Sequence, residues 1–526
     1  MTRTFLYLGL ALSCLTSTVQ AKVSDAQLGD LHEAISDWQT HEVRRTLTEL
    51  MAVEPDHVGL RFVESRLLFF EGEYVDSVKR LDGLVAELGE SAPPSVLAFR
   101  AEVAKTRDAL KGFDEHITDD GRFLIRYTGR DKAILPYLID VLKATDAALS
   151  KDFSYRPKGR VLVEIYPEIK YLAAVSSLTE TDIETSGTIA LCKYNRLMFS
   201  SPRALVRGYG WRDTVAHEFV HYYVTKVSRN AVPIWLHEGI AKFQESRWRA
   251  KPGQPLAPPQ EDLLARSLKA DKLVTFQQMH PSMAKLPSQQ AAGLAFAEVH
   301  TVVDHLHRRK GYDGINALLG NLKSGQEMSR ALKGVYGVSL DGLWSQWKRA
   351  IKKRGLKTYP GLVQQSLEFR RPGDPKKDEE KESSYSTIKE KSVRDFTHLG
   401  ELLRARNRPK AALIEYQKAM AIGGEGNPMI QNGAADSLIK LSRFSAVPET
   451  LSRVEKYYPS FVRTHLNLGK AYLKIGDLER ARSAFEAVIG INPFHPLPYM
   501  ALPKLYDASG QSALAERARR TLEILK

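Results

Sequence analysis

Residues 213–224 read DTVAHEFVHYYV, two histidines four apart with a glutamate directly after the first. The chain holds 14 His and 62 acidic residues in 526. Random placement would then give His-acid-x-x-His about 0.04 times per chain, so the motif is informative. Residues i and i+4 share one helix face, and His217 and His221 can each turn a ring nitrogen toward one ion. Glu218 lies about 100° round the helix, near enough to hold a water on that ion and badly placed to ligate it. Ala216, Val220, Tyr223 and Val227 form a separate apolar stripe that would anchor the helix in a core. The competing reading is an ordinary amphipathic helix that happens to carry two histidines.

Catalytic zinc usually takes three protein ligands and keeps a fourth position for water. A third candidate follows in NAVPIWLHEGIAKFQESRW, residues 230–248. Asn230 and Pro233 punctuate a turn, and Pro233 suits the start of a new helix. That helix can return Glu238 to the two imidazoles. His237-Glu238 as a solvated pair is the plainer alternative. Ile234, Trp235, Leu236 and Ile240 argue instead for burial, and a buried carboxylate needs a partner that a metal would supply.

HEFVH followed by WLHEGIA resembles the gluzincin metallopeptidases, and more closely the peptidase MA-like family, relatives of thermolysin found in bacterial envelope proteins. The resemblance runs from about residue 120 to 355. LAFAEVHTVVDHL (294–306) is similar to the family's downstream helix and YGVSLDGLWSQWKRAI (336–351) to its closing segment. It implies one zinc ion bound by His217, His221 and Glu238, with Glu218 as general base. The family commonly carries Tyr where this chain has Phe296, so a hydroxyl that helps some relatives is missing. His300, Tyr222, Tyr223 and Tyr312 are the candidates to replace it.

At 526 residues the chain should divide into two to four domains. Arg3 precedes the apolar run FLYLGLALSCL, and Val19-Gln20-Ala21 offers a small residue for cleavage, which resembles a secretory signal peptide. Lipid attachment at Cys14 is the weaker reading, because Ala11 stands where such signals usually carry Leu. Export to the periplasm or beyond is therefore expected, with no transmembrane segment in the mature chain. Cys192 would then be the single cysteine, a small buried apolar residue in a strand-like run. The formal charge of +14 is read as a basic solvated surface, and nothing in the sequence calls for nucleic acid.

Gly469, Tyr472, Ala481, Phe485 and Pro493 fall at the spacings of a tetratricopeptide repeat, small residues letting two helices approach while the aromatics fill between them. Gly400, Ala412, Tyr416 and Ala419 repeat the scheme, residues 429–461 fit the period, and 496–526 read as a last repeat or cap. A fainter echo at Gly72, Ser77 and Leu81 makes residues 22–112 degenerate repeat-like hairpins. RFLIRYTG and GRVLVEIYP read as strands flanking a helix near 131–151, and TIALCKYNRLMFSS as a hairpin turning at Tyr194-Asn195. One strand of that hairpin is the candidate to pair with extended substrate. Residues 251–290 read as a lid or rim around one short helix.

The expected fold is an α+β zincin-like peptidase domain, with a mixed sheet, the His-Glu-x-x-His helix and a helical C-terminal subdomain. All-α tetratricopeptide-type hairpins flank it. The expected boundaries are a signal peptide at 1–21, the helical region 22–112, the peptidase 113–365, a charged flexible linker 366–393 and the repeats 394–526. The expected function is zinc-dependent hydrolysis of peptide bonds in protein substrates recruited by the repeats, which would also bind a protein partner. The alternative is a catalytically inactive repeat scaffold or chaperone-like envelope assembly factor.

Overall fold

The computed structural model describes residues 23–371 and 388–526. The expected signal peptide, and residues 372–387 of the expected linker, lie outside the described residues. Among these, no helix is long and apolar enough to cross a membrane.

Five helices open the chain: α1 Asp25–Ser36, α2 Thr40–Val53, α3 Val58–Phe70, α4 Tyr74–Leu88 and α5 Pro94–Ala109. Strand β1 (Asp114–Ile117) leads into β2 (Phe123–Tyr127), α6 (Leu135–Asp152) and β3 (Val161–Tyr166). Short helices α7 (Ile169–Val175) and α8 (Glu180–Ser186) precede β4 (Ala190–Lys193) and β5 (Arg196–Ser200). The sheet order is β1-β2-β3-β5-β4, with β2, β3 and β5 parallel and both edge strands antiparallel to their neighbours. The β4–β5 turn sits at Tyr194 and Asn195, both at positive φ (55° and 62°). That is the geometry a two-residue hairpin loop requires. Cys192 lies on the edge strand β4 as a half-buried free thiol, more open than the sequence suggested.

Alternation along the strands assigns the two faces of the sheet. Phe123 packs its ring edge-on to Phe219 at 5.7 Å, so this face meets helix α9 (Trp211–Ser228). The neighbouring positions Leu162 and Glu164 face the other way, where Gly72 abuts Leu162 and Tyr74 donates to Glu164. The N-terminal helices thus cover the face opposite α9. The α1–α2 turn reaches round, Trp38 packing on Tyr222 of α9.

Beyond α9 come α10 (Ile234–Gln244), α11 (Pro258–Lys269), α12 (Gln289–Lys323, kinked at Gly311), α13 (Met328–Tyr336) and α14 (Leu340–Arg354). Part of the stretch expected as linker is held on the fold. Phe369 bridges to Leu205, and Val206 N donates to Glu368 O at 2.9 Å. The last eight helices are α15 (Lys391–Ala405), α16 (Pro409–Ala419), α17 (Pro428–Lys440), α18 (Val447–Tyr457), α19 (Val462–Ile475), α20 (Leu478–Ile491), α21 (Pro496–Ala508) and α22 (Ser512–Leu525). They pack as successive hairpins. Gly469 lies directly under the Phe485 ring, and Gly400 and Gly433 both lie against Tyr416.

Candidate metal centre

Helix α9 is buried along almost its whole length, from Trp211 to Ser228. It ends where Arg229 and Asn230 adopt positive φ (52° and 55°). Pro233 then caps α10 in an extended conformation. This tight reversal brings α10 back across α9. Gly239 lets α10 approach α12, where a Cβ would meet Val303 and the Val299 carbonyl.

The reversal places Glu238 between the two histidines. His217 Nε2 and His221 Nε2 each lie 3.2 Å from Glu238 Oε2. Tetrahedral zinc with ligand bonds of about 2.0–2.2 Å holds its donor atoms about 3.4 Å apart. Both imidazole–carboxylate separations therefore stand near the value such an ion imposes, and two imidazoles with a carboxylate are a donor set that suits zinc. One ligand atom each from His217, Glu218 and His221 also lie within 4.8 Å of one another. Glu238 approaches both imidazoles at 3.2 Å, so Glu238 and Glu218 both stand where a third donor could be. Glu218 is 5% exposed, and its Oε2 has no hydrogen-bond partner in the protein.

Electrostatics agree with a site that wants a cation. Burial alone would push His217 down, but its contacts with Glu238 and Glu245 outweigh burial and push it up to about 10. Burial alone would raise Glu238, yet His221 and His217 hold it well below the usual carboxylate range. Burial raises Glu218, against the pull of both imidazoles.

The surroundings include Glu245, which the sequence reading did not single out, and His237, which it read only as half of a possible solvated pair. Glu245 Oε2 lies 3.6 Å from His217 Nδ1, and its Oε1 is paired with Lys242 Nζ at 2.6 Å. The His237 ring lies parallel to that of His221, with centroids 4.5 Å apart, and its Nε2 is 3.1 Å from Thr225 Oγ1. The spacing 238 to 245 is two helical turns, the one signal that put Glu245 on the same face as Glu238. Carboxylates behind a ligating imidazole fix its tautomer and orientation. Glu245→Gln should therefore weaken zinc binding about 10- to 100-fold, read by competition with a chromogenic chelator. An unchanged affinity would remove Glu245 from the site.

Phe296 packs its ring edge on His217 at 5.9 Å, so an apolar ring, with no hydroxyl, stands beside that imidazole. Of the candidates to replace a hydroxyl there, His300 and Tyr223 are hydrogen-bonded to other groups, whereas the Tyr312 hydroxyl is buried without a hydrogen-bond partner. His300 sets its ring nitrogens against the carbonyls of Lys242 and Gln254, at 3.4 and 3.0 Å. Tyr223 donates to Asp146 at 2.6 Å, Tyr222 packs on Trp38, and Tyr312 packs on His307.

Residues 144–353 match the family model of the Peptidase MA superfamily, and residues 462–495 match a tetratricopeptide repeat. The chain thus contains a Peptidase MA superfamily domain and a repeat of that type. No curated protein matches. Among solved structures, the chain is similar to the yeast Tom70 crystal structure at 11% identity, over 94% of this chain and 89% of that one, with a TM-score of 0.19. It is also similar to the APC/C hetero-tetramer Cut9-Hcn1 at 13% identity, over 94% and 92%, with a TM-score of 0.25. Likenesses at those scores carry no argument.

Proposed function

We propose that this chain is an exported zinc metallopeptidase of the gluzincin type, cleaving peptide bonds in protein substrates that its helical repeats recruit. The observation that carries the reading is the convergence of His217 Nε2 and His221 Nε2 on one Glu238 oxygen, at 3.2 Å each. His217, His221 and Glu238 would hold the ion. Zinc bound there supplies a polarising charge for the scissile carbonyl and lowers the pKa of water toward 7. Glu218 takes the proton from the attacking water and delivers it to the leaving nitrogen. Its buried, partnerless oxygen suits that task, because no protein group competes for it. Strand β4, on the sheet edge beside α9, offers its backbone to an extended substrate.

Zinc content of the purified chain tests the site. About one zinc per chain is expected in the parent, with most of it lost in His217→Ala and in Glu238→Ala. Cleavage of a casein-type substrate should be lost with it. A parent that takes up no zinc after reconstitution would end the hydrolase reading.

One observation favours a second reading, a repeat scaffold or chaperone-like assembly factor with a silent peptidase domain. The Phe296 ring leaves no hydroxyl at that edge of His217. Against this stands the retained Glu218, a buried carboxylate that serves no protein contact through Oε2.

A further inference from the structure

The C-terminal hairpins present two edges. Turns between hairpins, at 420–427, 457–461 and 491–495, make one. Turns within hairpins, at 406–408, 441–446 and 476–477, make the other, because α15, α17 and α19 pack side by side and run the same way. Lys440 Nζ donates to Asn407 Oδ1 at 3.2 Å, joining the first two turns of this second edge.

The first edge is occupied. Tyr457 and Tyr458 pack with Tyr359 and Leu362, and Val363 N donates to the Tyr458 hydroxyl at 3.0 Å. Trp211 Nε1, at the start of α9, donates to Ile489 O at 2.9 Å, and Tyr209 N donates to Ile491 O at 3.1 Å. Among the described residues, no hydrogen bond or ion pair joins the second edge to residues 23–371.

That free edge is basic and apolar together. Arg406, Arg408, Arg443 and Lys474 are exposed and have no acidic partner among the described residues. Beside them Leu402, Leu473, Ile475 and Leu478 are 41%, 40%, 44% and 45% exposed. Of the acids nearby, Asp477 and Glu479 are paired with Arg480 and Arg482, and Glu449 is exposed. Cations at helix C-termini are ordinary company for the helix dipole. Arg406, Arg408 and Arg443 lie beyond the helix ends, however, and the dipole gives no reason for the exposed Leu and Ile.

We infer that this edge docks on an anionic lipid surface. Leu473, Ile475 and Leu478 enter the headgroup boundary, while Lys474 and the three arginines lie at the level of the phosphates. The edge consists of turns and helix ends carrying exposed cations beside exposed Leu and Ile, a pairing that matches the charged headgroups and apolar boundary of an anionic lipid surface. Apolar and basic side chains interleave in Leu473-Lys474-Ile475, and the long cationic stems can lie along the interface beside them.

Flotation of the full chain with vesicles tests this. Binding to phosphatidylglycerol-containing vesicles and little binding to pure phosphatidylcholine is expected. The combined variant Arg406→Glu, Arg408→Glu, Arg443→Glu, Lys474→Glu should lose about tenfold or more of that binding, as should Leu473→Ser with Ile475→Ser. Circular dichroism of both variants should match the parent. No binding to the anionic vesicles, equal binding to both vesicle types, or parent-like binding by either variant would overturn the proposal. Polyglutamate competing as well as vesicles do would also overturn it, in favour of an acidic polypeptide.

Discussion

Glu218→Gln should leave zinc content at the parent level and lower peptide cleavage about 10²- to 10⁴-fold, the range that general base catalysis supplies. The substitution is nearly isosteric, and Glu218 Oε2 makes no hydrogen bond to the protein. Helix α9 therefore loses no contact on which its packing depends. What disappears is the acceptor for the water's proton. An amide cannot take that proton at any working pH, whereas burial raises the Glu218 carboxyl above its ordinary value and so makes its carboxylate the stronger base. The measurement pairs metal analysis with turnover of a casein-type substrate. Equal turnover in parent and variant would refute the assigned role. A parent that holds zinc and cleaves nothing would favour the scaffold reading instead.

The parts of this site that were legible in the sequence are those written in local periodicity. His217 and His221 are one helical turn apart, so their shared face follows from the spacing alone. Tyr194-Asn195 announced a hairpin because strand-like runs flank it and Asn tolerates a left-handed turn, and both residues adopt positive φ. Gly469 and Phe485 announced close helix packing, and the glycine lies under the ring.

What escaped depends on contacts between distant segments. Strand β1 reads Asp-Glu-His-Ile, mostly exposed, and gains strand form only by pairing with β2. The Trp211–Ile489 bond spans 278 positions and ties the repeats to the start of the zinc-candidate helix. Phe369 pairs with Leu205 from within a stretch whose composition reads as linker. The 238-to-245 spacing puts Glu245 on the face of Glu238, but its approach to His217 also needed the direction in which α10 returns over α9.

The buried charge cluster on the far face of the sheet escaped for the same reason, and Glu164→Ala there should cost about 3–5 kcal/mol of stability. Glu164 lies at the middle of β3 and is fully buried, as is Arg196 on β5. Its carboxylate accepts from Tyr74 at 2.7 Å and Tyr166 at 2.5 Å, and faces Arg126 and Arg196 at 3.4 Å each. The Arg196 guanidinium also stacks over Phe69, Tyr74 and Tyr194, so it is boxed in by rings as well as held by the acid. Removing the carboxylate strands that guanidinium in an apolar layer. Arg126 keeps Glu115 at 2.8 Å, but Arg196 has no second acid to turn to among the described residues. The penalty is therefore that of an uncompensated buried charge rather than of one lost hydrogen bond. Urea unfolding of the full chain measures it, and a Glu164→Ala variant within about 1 kcal/mol of the parent would show the cluster to be dispensable. Pairing Glu164→Leu with Arg196→Met should recover much of the loss, since both charges then leave together. Because Tyr74 belongs to α4, the same substitution should loosen the N-terminal helices from the sheet. Faster amide exchange in α3 and α4 than in α9 would mark those helices as a wall of the peptidase region clamped by Glu164.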